Sequence, residues 1–155
     1  MTDAVQAAIV ATLKTITDIG QVFDHEPYHR QAQELTARYL LNGRIRGWAV
    51  LRDSLVEVPG TLGTLGAFQN VERVNWRILG FWEVSEGGQS ALEFNAMLDS
   101  IRDKFRVFRD LGIAGLTTTT DDRAGIEIID TGLAQFAGAI CHATVLGLTT
   151  ERYIQ

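Results

Sequence analysis

Apolar residues recur at helical spacing at the start of the chain. Val5, Ile9, Leu13 and Ile16 form one stripe, with Ala8 and Thr12 beside it. Thr2 or Asp3 is placed to cap this helix and Gly20 to end it. Gln21-Val22-Phe23-Asp24 is a short strand candidate stopped by Pro27. From Tyr28 to Leu41 the spacing of Ala32, Leu35, Tyr39 and Leu40 is helical again, and Asn42-Gly43 marks a turn. Residues 45–58 then read as extended, rich in Ile, Trp, Val and Leu.

The second half repeats this alternation between periods. Residues 74–84 form the clearest strand: Trp76, Ile78, Trp82 and Val84 share one face, and Asn75, Arg77, Leu79, Phe81 and Glu83 the other. Both faces are partly apolar, which predicts a central strand or one covered by a neighbouring subunit. Ser90-Ala91-Leu92-Glu93 fits a capping box for a long helix over residues 91–109, with Phe94, Met97, Leu98, Ile101, Phe105 and Phe108 as its buried stripe. Residues 117–123 read as irregular, and residues 125–130 and 137–148 as the last strands. Runs of strands beside separate helices predict an α+β fold: a single domain over residues 1–155, with a mostly antiparallel sheet flanked by two or three helices.

Between the extended segment and the central strand lies PGTLGTLGAFQN, residues 59–70. Its Gly and Thr content predicts a long mobile loop tipped by Leu62, Leu65 and Phe68. The glycines have neither the Gly-Lys-Ser/Thr ending of a phosphate loop nor the spacing of a dinucleotide turn. Charge narrows the classes further. Fourteen basic against nineteen acidic residues give a net charge of −5, the wrong sign for a dedicated nucleic-acid binder. The single cysteine excludes an intramolecular disulfide and a four-cysteine zinc site. No apolar run approaches the roughly 20 residues of a membrane span, and the first residues have no basic leader, so the expectation is a protein made in a reducing cytoplasm.

Candidate chemistry is sparse. His25-Glu26-Pro27-Tyr28-His29 spells the H-E-x-x-H of zinc proteases, but that motif works on a helix, and Pro27 biases Glu26 away from the helical region. A strand-to-helix junction with solvated imidazoles fits these residues better. Cys141 and His142 are neighbours in a strand, so they point to opposite faces and cannot pair as nucleophile and base. Asp121 and Asp122 sit in a polar loop where solvation is the default. Arg44, Arg46, Arg52, Arg73 and Arg77 come from two strand regions; if these are neighbours they make a basic patch that could face nucleic acid, but such residues are more often solvated or paired with acids at subunit contacts. Trp48, Trp76 and Trp82 all fall in strands, and the apolar total exceeds what one small sheet–helix layer hides. Aromatic and arginine residues are enriched at protein interfaces, so oligomerisation is the physical expectation.

In layout the chain resembles the tail terminators of long-tailed phages, of the lambda type. The resemblance lies in the N-terminal amphipathic helix, the strand Val74-Asn75-Trp76-Arg77-Ile78-Leu79-Gly80-Phe81-Trp82 leading into the helix Ala91–Phe108, and a final strand from Ile140 to Thr150. Ile16–Val22 followed by Glu26-Pro27-Tyr28 is similar to small phage tail or neck proteins. The resemblance implies a non-enzymatic virion protein without cofactor or metal. Its subunits would form a ring, a hexamer in that family. The ring would stack on the tail tube protein, stop its polymerisation and offer a joint to the head–tail connector. Genome DNA would pass through the channel without sequence-specific binding, and no membrane is involved. Leu62, Leu65 and Phe68, with Arg73 and Arg77, are the expected subunit or partner contacts. The chain's greater length and its additional helix at residues 28–41 leave room for a head-completion or connector role in the same virion. A small α+β binding module or enzyme, using His25, His29 and Cys141, is the reading from a different class.

Overall fold

The computed structural model describes residues 2–27, 32–60 and 70–154. In chain order these make helix α1 (Thr2–Lys14), strand β1 (Gln21–Phe23), helix α2 (Ala32–Arg38), strands β2 (Leu40–Leu41), β3 (Arg44–Pro59) and β4 (Asn70–Glu83), helix α3 (Gln89–Val107), and strands β5 (Leu116–Thr117), β6 (Glu127–Phe136) and β7 (Ala139–Ile154). The expected α+β class holds. One seven-stranded sheet runs β1-β3-β4-β7-β5, with β2 added to β3 and β6 to β7. All pairings are antiparallel except β1 with β3, so the sheet is mixed.

β4 is central, paired along its length with β3 and β7. Its alternation divides the sheet into two faces. Trp48 and Val50 of β3, Val74, Trp76, Ile78 and Trp82 of β4, and Leu146 and Leu148 of β7 turn to the face covered by α1 and α3. α1 contributes Val5, Ile9 and Leu13 to this core, and α3 contributes Phe94, Leu98, Ile101 and Phe105. All three tryptophans are at most 2% exposed, so they belong to the core and not to an interface. Two of the indole N–H groups are tied to remote acceptors: Trp48 Nε1 donates to the Ile19 carbonyl at 2.8 Å, and Trp76 Nε1 to Thr150 Oγ1 at 2.9 Å.

Several boundaries differ from the sequence expectation. Gly20 does not end α1, which stops at Lys14. Gly20 lies where the chain crosses β3, at φ +93°, and a Cβ there would sit 2.2 Å from the Arg46 carbonyl oxygen. The helix expected over residues 28–41 is regular only over Ala32–Arg38, with residues 28–31 outside the described set. Leu40 and Leu41 instead turn back along Ile45 and Arg44 through Asn42-Gly43, both at positive φ, as two-residue hairpins require.

The capping box does not form either. α3 begins at Gln89 with Gly88 at its N-cap. Ser85 and Ser90 exchange hydrogen bonds instead: the Ser85 N–H donates to Ser90 Oγ at 2.9 Å, and the Ser90 N–H to Ser85 Oγ at 3.1 Å. Phe108 falls just beyond the helix and is half-exposed. The segment expected to be irregular supplies β5, a buried Thr118 and a bridge between Thr119 and Ala124. β6 and β7 both run about six residues past their expected ends. No helix among the described residues is long and apolar enough to cross a membrane.

Candidate assembly surface

Both long helices lie on one face of the sheet, and the other face is only partly covered. At one end Tyr39, Ile45 and Cys141 form a second small core with Phe23, Phe81 and Phe136 around them. Phe81 stacks on Phe136 with ring centres 4.0 Å apart, and Tyr39 meets Phe136 edge-on at 4.9 Å. Gly47 makes this possible, because a Cβ there would run into the Tyr39 ring. Further along, Leu51, Leu79, Ala143 and Val145 are only half-buried. Leu79, Ala143 and Val145, with Phe81 and β6 at Asp130–Ala134, border a shallow cleft of about 200 Å³.

The apolar character continues to the ends of this surface. Val58, Val71 and Tyr153 are register partners across β3, β4 and β7, and Tyr153 is 62% exposed. Val56 stands half-exposed one pair along. Beyond this face the β6 side of the sheet carries Ile128, Ile129 and Leu133, all exposed; Ile128 and Leu133, in register with Leu146 and His142, and the exposed Ile140 of β7 lie on the helix side. The sequence reading missed these residues. Part of their signal was present in the apolar residues on both faces of the central strand. The rest was hidden because β6 and the end of β7 contain Gly, Thr, Asp and Glu among their apolar positions.

The expected contact residues fare unequally. Leu62, Leu65 and Phe68 lie outside the described residues. Arg73 and Arg77 are on the partly covered face, and each has a carboxylate. Arg73 Nε donates to Glu151 Oε1 at 2.7 Å, and Arg77 Nε lies 3.2 Å from Asp53 Oδ1. The Glu151 carboxylate raises the Arg73 guanidinium above its ordinary pKa. The five arginines do not form one patch. β3 and β4 are neighbours as expected, but alternation sends Arg46 and Arg52 to the helix-covered face and Arg73 and Arg77 to the other. Arg46 lies over the Trp82 ring at 4.2 Å and reaches Glu93 at 3.3 Å, so it serves the fold.

The reactive side chains are equally dispersed. Among the described residues no group of three or more His, Cys, Asp or Glu is placed to hold a metal ion. His25 is exposed and its Nδ1 lies 2.6 Å from Asp24 Oδ1, an interaction that lowers the Asp24 pKa. His29 is outside the described residues. Cys141 and His142 face opposite ways, as strand alternation requires: Cys141 is buried with Tyr39, while His142 stacks on Phe94 and its Nε2 lies 3.0 Å from Ser90 Oγ. Burial, aided by the Glu83 charge, pushes the Cys141 thiol up to about 11, so it is a protonated core residue at neutral pH. Asp121 and Asp122 remain in a surface loop, where the Thr120 hydroxyl is the main group lowering the Asp122 pKa.

A scan against models of known protein families finds no match for the chain, and a search of curated proteins finds none either.

Proposed function

We propose that the chain is a structural virion protein that assembles into a ring, caps the end of a phage tail tube and presents a joint to the head connector. The observation that carries this reading is the set of exposed apolar side chains at the margins of the sheet, on both of its faces. Val56 and Tyr153 at one flank, and Ile129, Leu133 and Ile140 at the other, are each at least 50% exposed. A solitary domain gains nothing from that exposure, whereas a subunit that meets a neighbour on each side buries it. The dispersed reactive groups and the paired arginines fit a mechanical role better than a chemical one. The element order that resembles tail terminators supplies the particular place in the virion.

The experiment is to add the purified chain to polymerising tail-tube protein of the same virus and to image the products by negative stain. The expected result is shorter tubes carrying an extra ring at one end. Tubes of unchanged length without an added ring would overturn the reading.

A further inference from the structure

The sheet has two free edges, on opposite sides. Among the described residues β6 pairs only with β7, so its outer edge is open from Glu127 to Phe136. On the other side β1 and β2 cover β3 only as far as Ala49. Val50 still has its carbonyl taken by Gln6 Nε2, at 2.8 Å. From Leu51 to Pro59 the outer edge of β3 has no strand beside it among the described residues. Unpaired edges present rows of N–H and C=O groups that template another strand, and soluble proteins usually blunt them with lysine or with covering segments. Each free stretch has one bulge, at Asp53 and at Ile129, and β3 ends on Pro59, but neither contains a lysine. Each instead shows exposed aliphatic side chains: Ile128, Ile129 and Leu133 on β6, Leu55 and Val56 on β3.

We infer that these two edges are the two halves of one joint, in which β6 of one copy adds to the distal half of β3 of the next. Three observations favour a second copy of this chain as the occupant. The first is direction. β3 to β4, β4 to β7 and β7 to β6 are all antiparallel steps, so β6 runs opposite to β3. Continuing the sheet from copy to copy without turning it over therefore makes an antiparallel ladder, the more stable kind. The second is charge. Within the joint β6 carries Glu127 and Asp130 and no cation, whereas the open stretch of β3 carries Arg52 beside Asp53 and Glu57. Arg52 gives the β6 carboxylates a cation to meet, whereas β6 against β6 would set carboxylates against carboxylates alone.

The third is closure. Ile128 of β6 is level, through Leu146 and Ile78, with Val50 of β3. The open stretch of β3 thus begins where the level of β6 ends, and the joint is staggered along the strands. A staggered joint between tilted strands is how a sheet closes on itself. A contact between two different patches also propagates to a ring, where a two-fold contact would stop at a dimer. The ring itself rests on the function proposed above; the joint does not require a tail tube.

The test uses two full-length variants, Leu133→Lys and Val56→Lys, each placing a charge on an exposed position of one edge. Unchanged thermal melts at low concentration establish that both fold. Light scattering across a wide concentration range then reads assembly. The wild type should form closed oligomers, and each variant alone should weaken association by about tenfold or more. An equimolar mixture should yield one-to-one dimers and nothing larger, because only one intact joint can form between the two variants. Val56→Lys assembling like the wild type would overturn the proposal in favour of β6 meeting β6. A wild type that stays monomeric at the highest concentration would also overturn the joint, while the tube-capping experiment separately decides the function.

Discussion

Trp48 and Gly80 are register partners across β3 and β4, and the indole lies where a side chain at position 80 would go. A Cβ on Gly80 would be 2.3 Å from the Trp48 ring. The ring cannot retreat, because Phe94 stacks above it and its Nε1 is held by the Ile19 carbonyl. Gly80→Ala should therefore cost about 1–3 kcal/mol, the usual range for forcing a methyl group into a packed core. The check is a thermal or denaturant melt, and an unchanged midpoint would mean that the Trp48 site is looser than its contacts indicate. Cys141 gives a second prediction at this scale. Its thiol titrates at about 11 when folded against 9.0 for a free thiol. The folded state thus holds the proton that the unfolded state releases. Its contribution is complete below pH 9 and is lost as pH rises towards 11. The stability difference between wild type and Cys141→Ala should shrink across that window, as read by urea titrations at pH 8 and pH 10.5. At pH 8 a thiol reagent should label the native protein far more slowly than the unfolded one.

At the scale of elements, the start of α3 rests on an exchange between two serines. Ser90→Ala leaves the Ser85 N–H without its acceptor and removes the hydroxyl beside His142 Nε2. The loss should be about 1 kcal/mol, typical of a helix-start hydrogen bond. A double-mutant cycle with Ser85→Ala should show coupling, and purely additive losses would mean the two bonds act independently. This junction also shows why some of the fold was legible in the sequence and some was not. The stripes of α1 and α3 and the alternation of β4 were readable because each buries one face against a large partner. Ser90 and Glu93 had the spacing of a capping box, but partners outside it competed: Ser85, just upstream, took Ser90, and the distant Arg46 took Glu93. Likewise Leu40 and Leu41 continued a helical pattern until Asn42-Gly43 folded them onto β3. The ends of β6 and β7 could not be read, because their pattern is set by strand pairing and not by burial. For the candidate surface, Arg73 and Arg77 were correctly placed on strands, but their pairing with Glu151 and Asp53 depends on the register of β4 with β7 and on the bulge of β3 at Asp53.

At the scale of the whole molecule, stability and assembly are linked by mass action. A chain whose apolar edge residues are covered only by a second copy is stabilised in proportion to how fully that copy is bound. At a subunit concentration a hundredfold above the dissociation constant of the joint, the gain is about 2.7 kcal/mol. For a chain of this size each kcal/mol moves the melting midpoint by roughly 2–4 °C, so the midpoint should climb by roughly 5–10 °C across such a range. The increase should be absent in Leu133→Lys and in Val56→Lys and partly restored in their mixture, since the mixture rebuilds one joint per pair. Differential scanning calorimetry at several concentrations, on the wild type, each variant and the mixture, reads these shifts. A midpoint independent of concentration in the wild type would mean that the exposed Ile129, Leu133 and Val56 are stable in water as they stand, and that the sheet edges serve a partner other than a second copy.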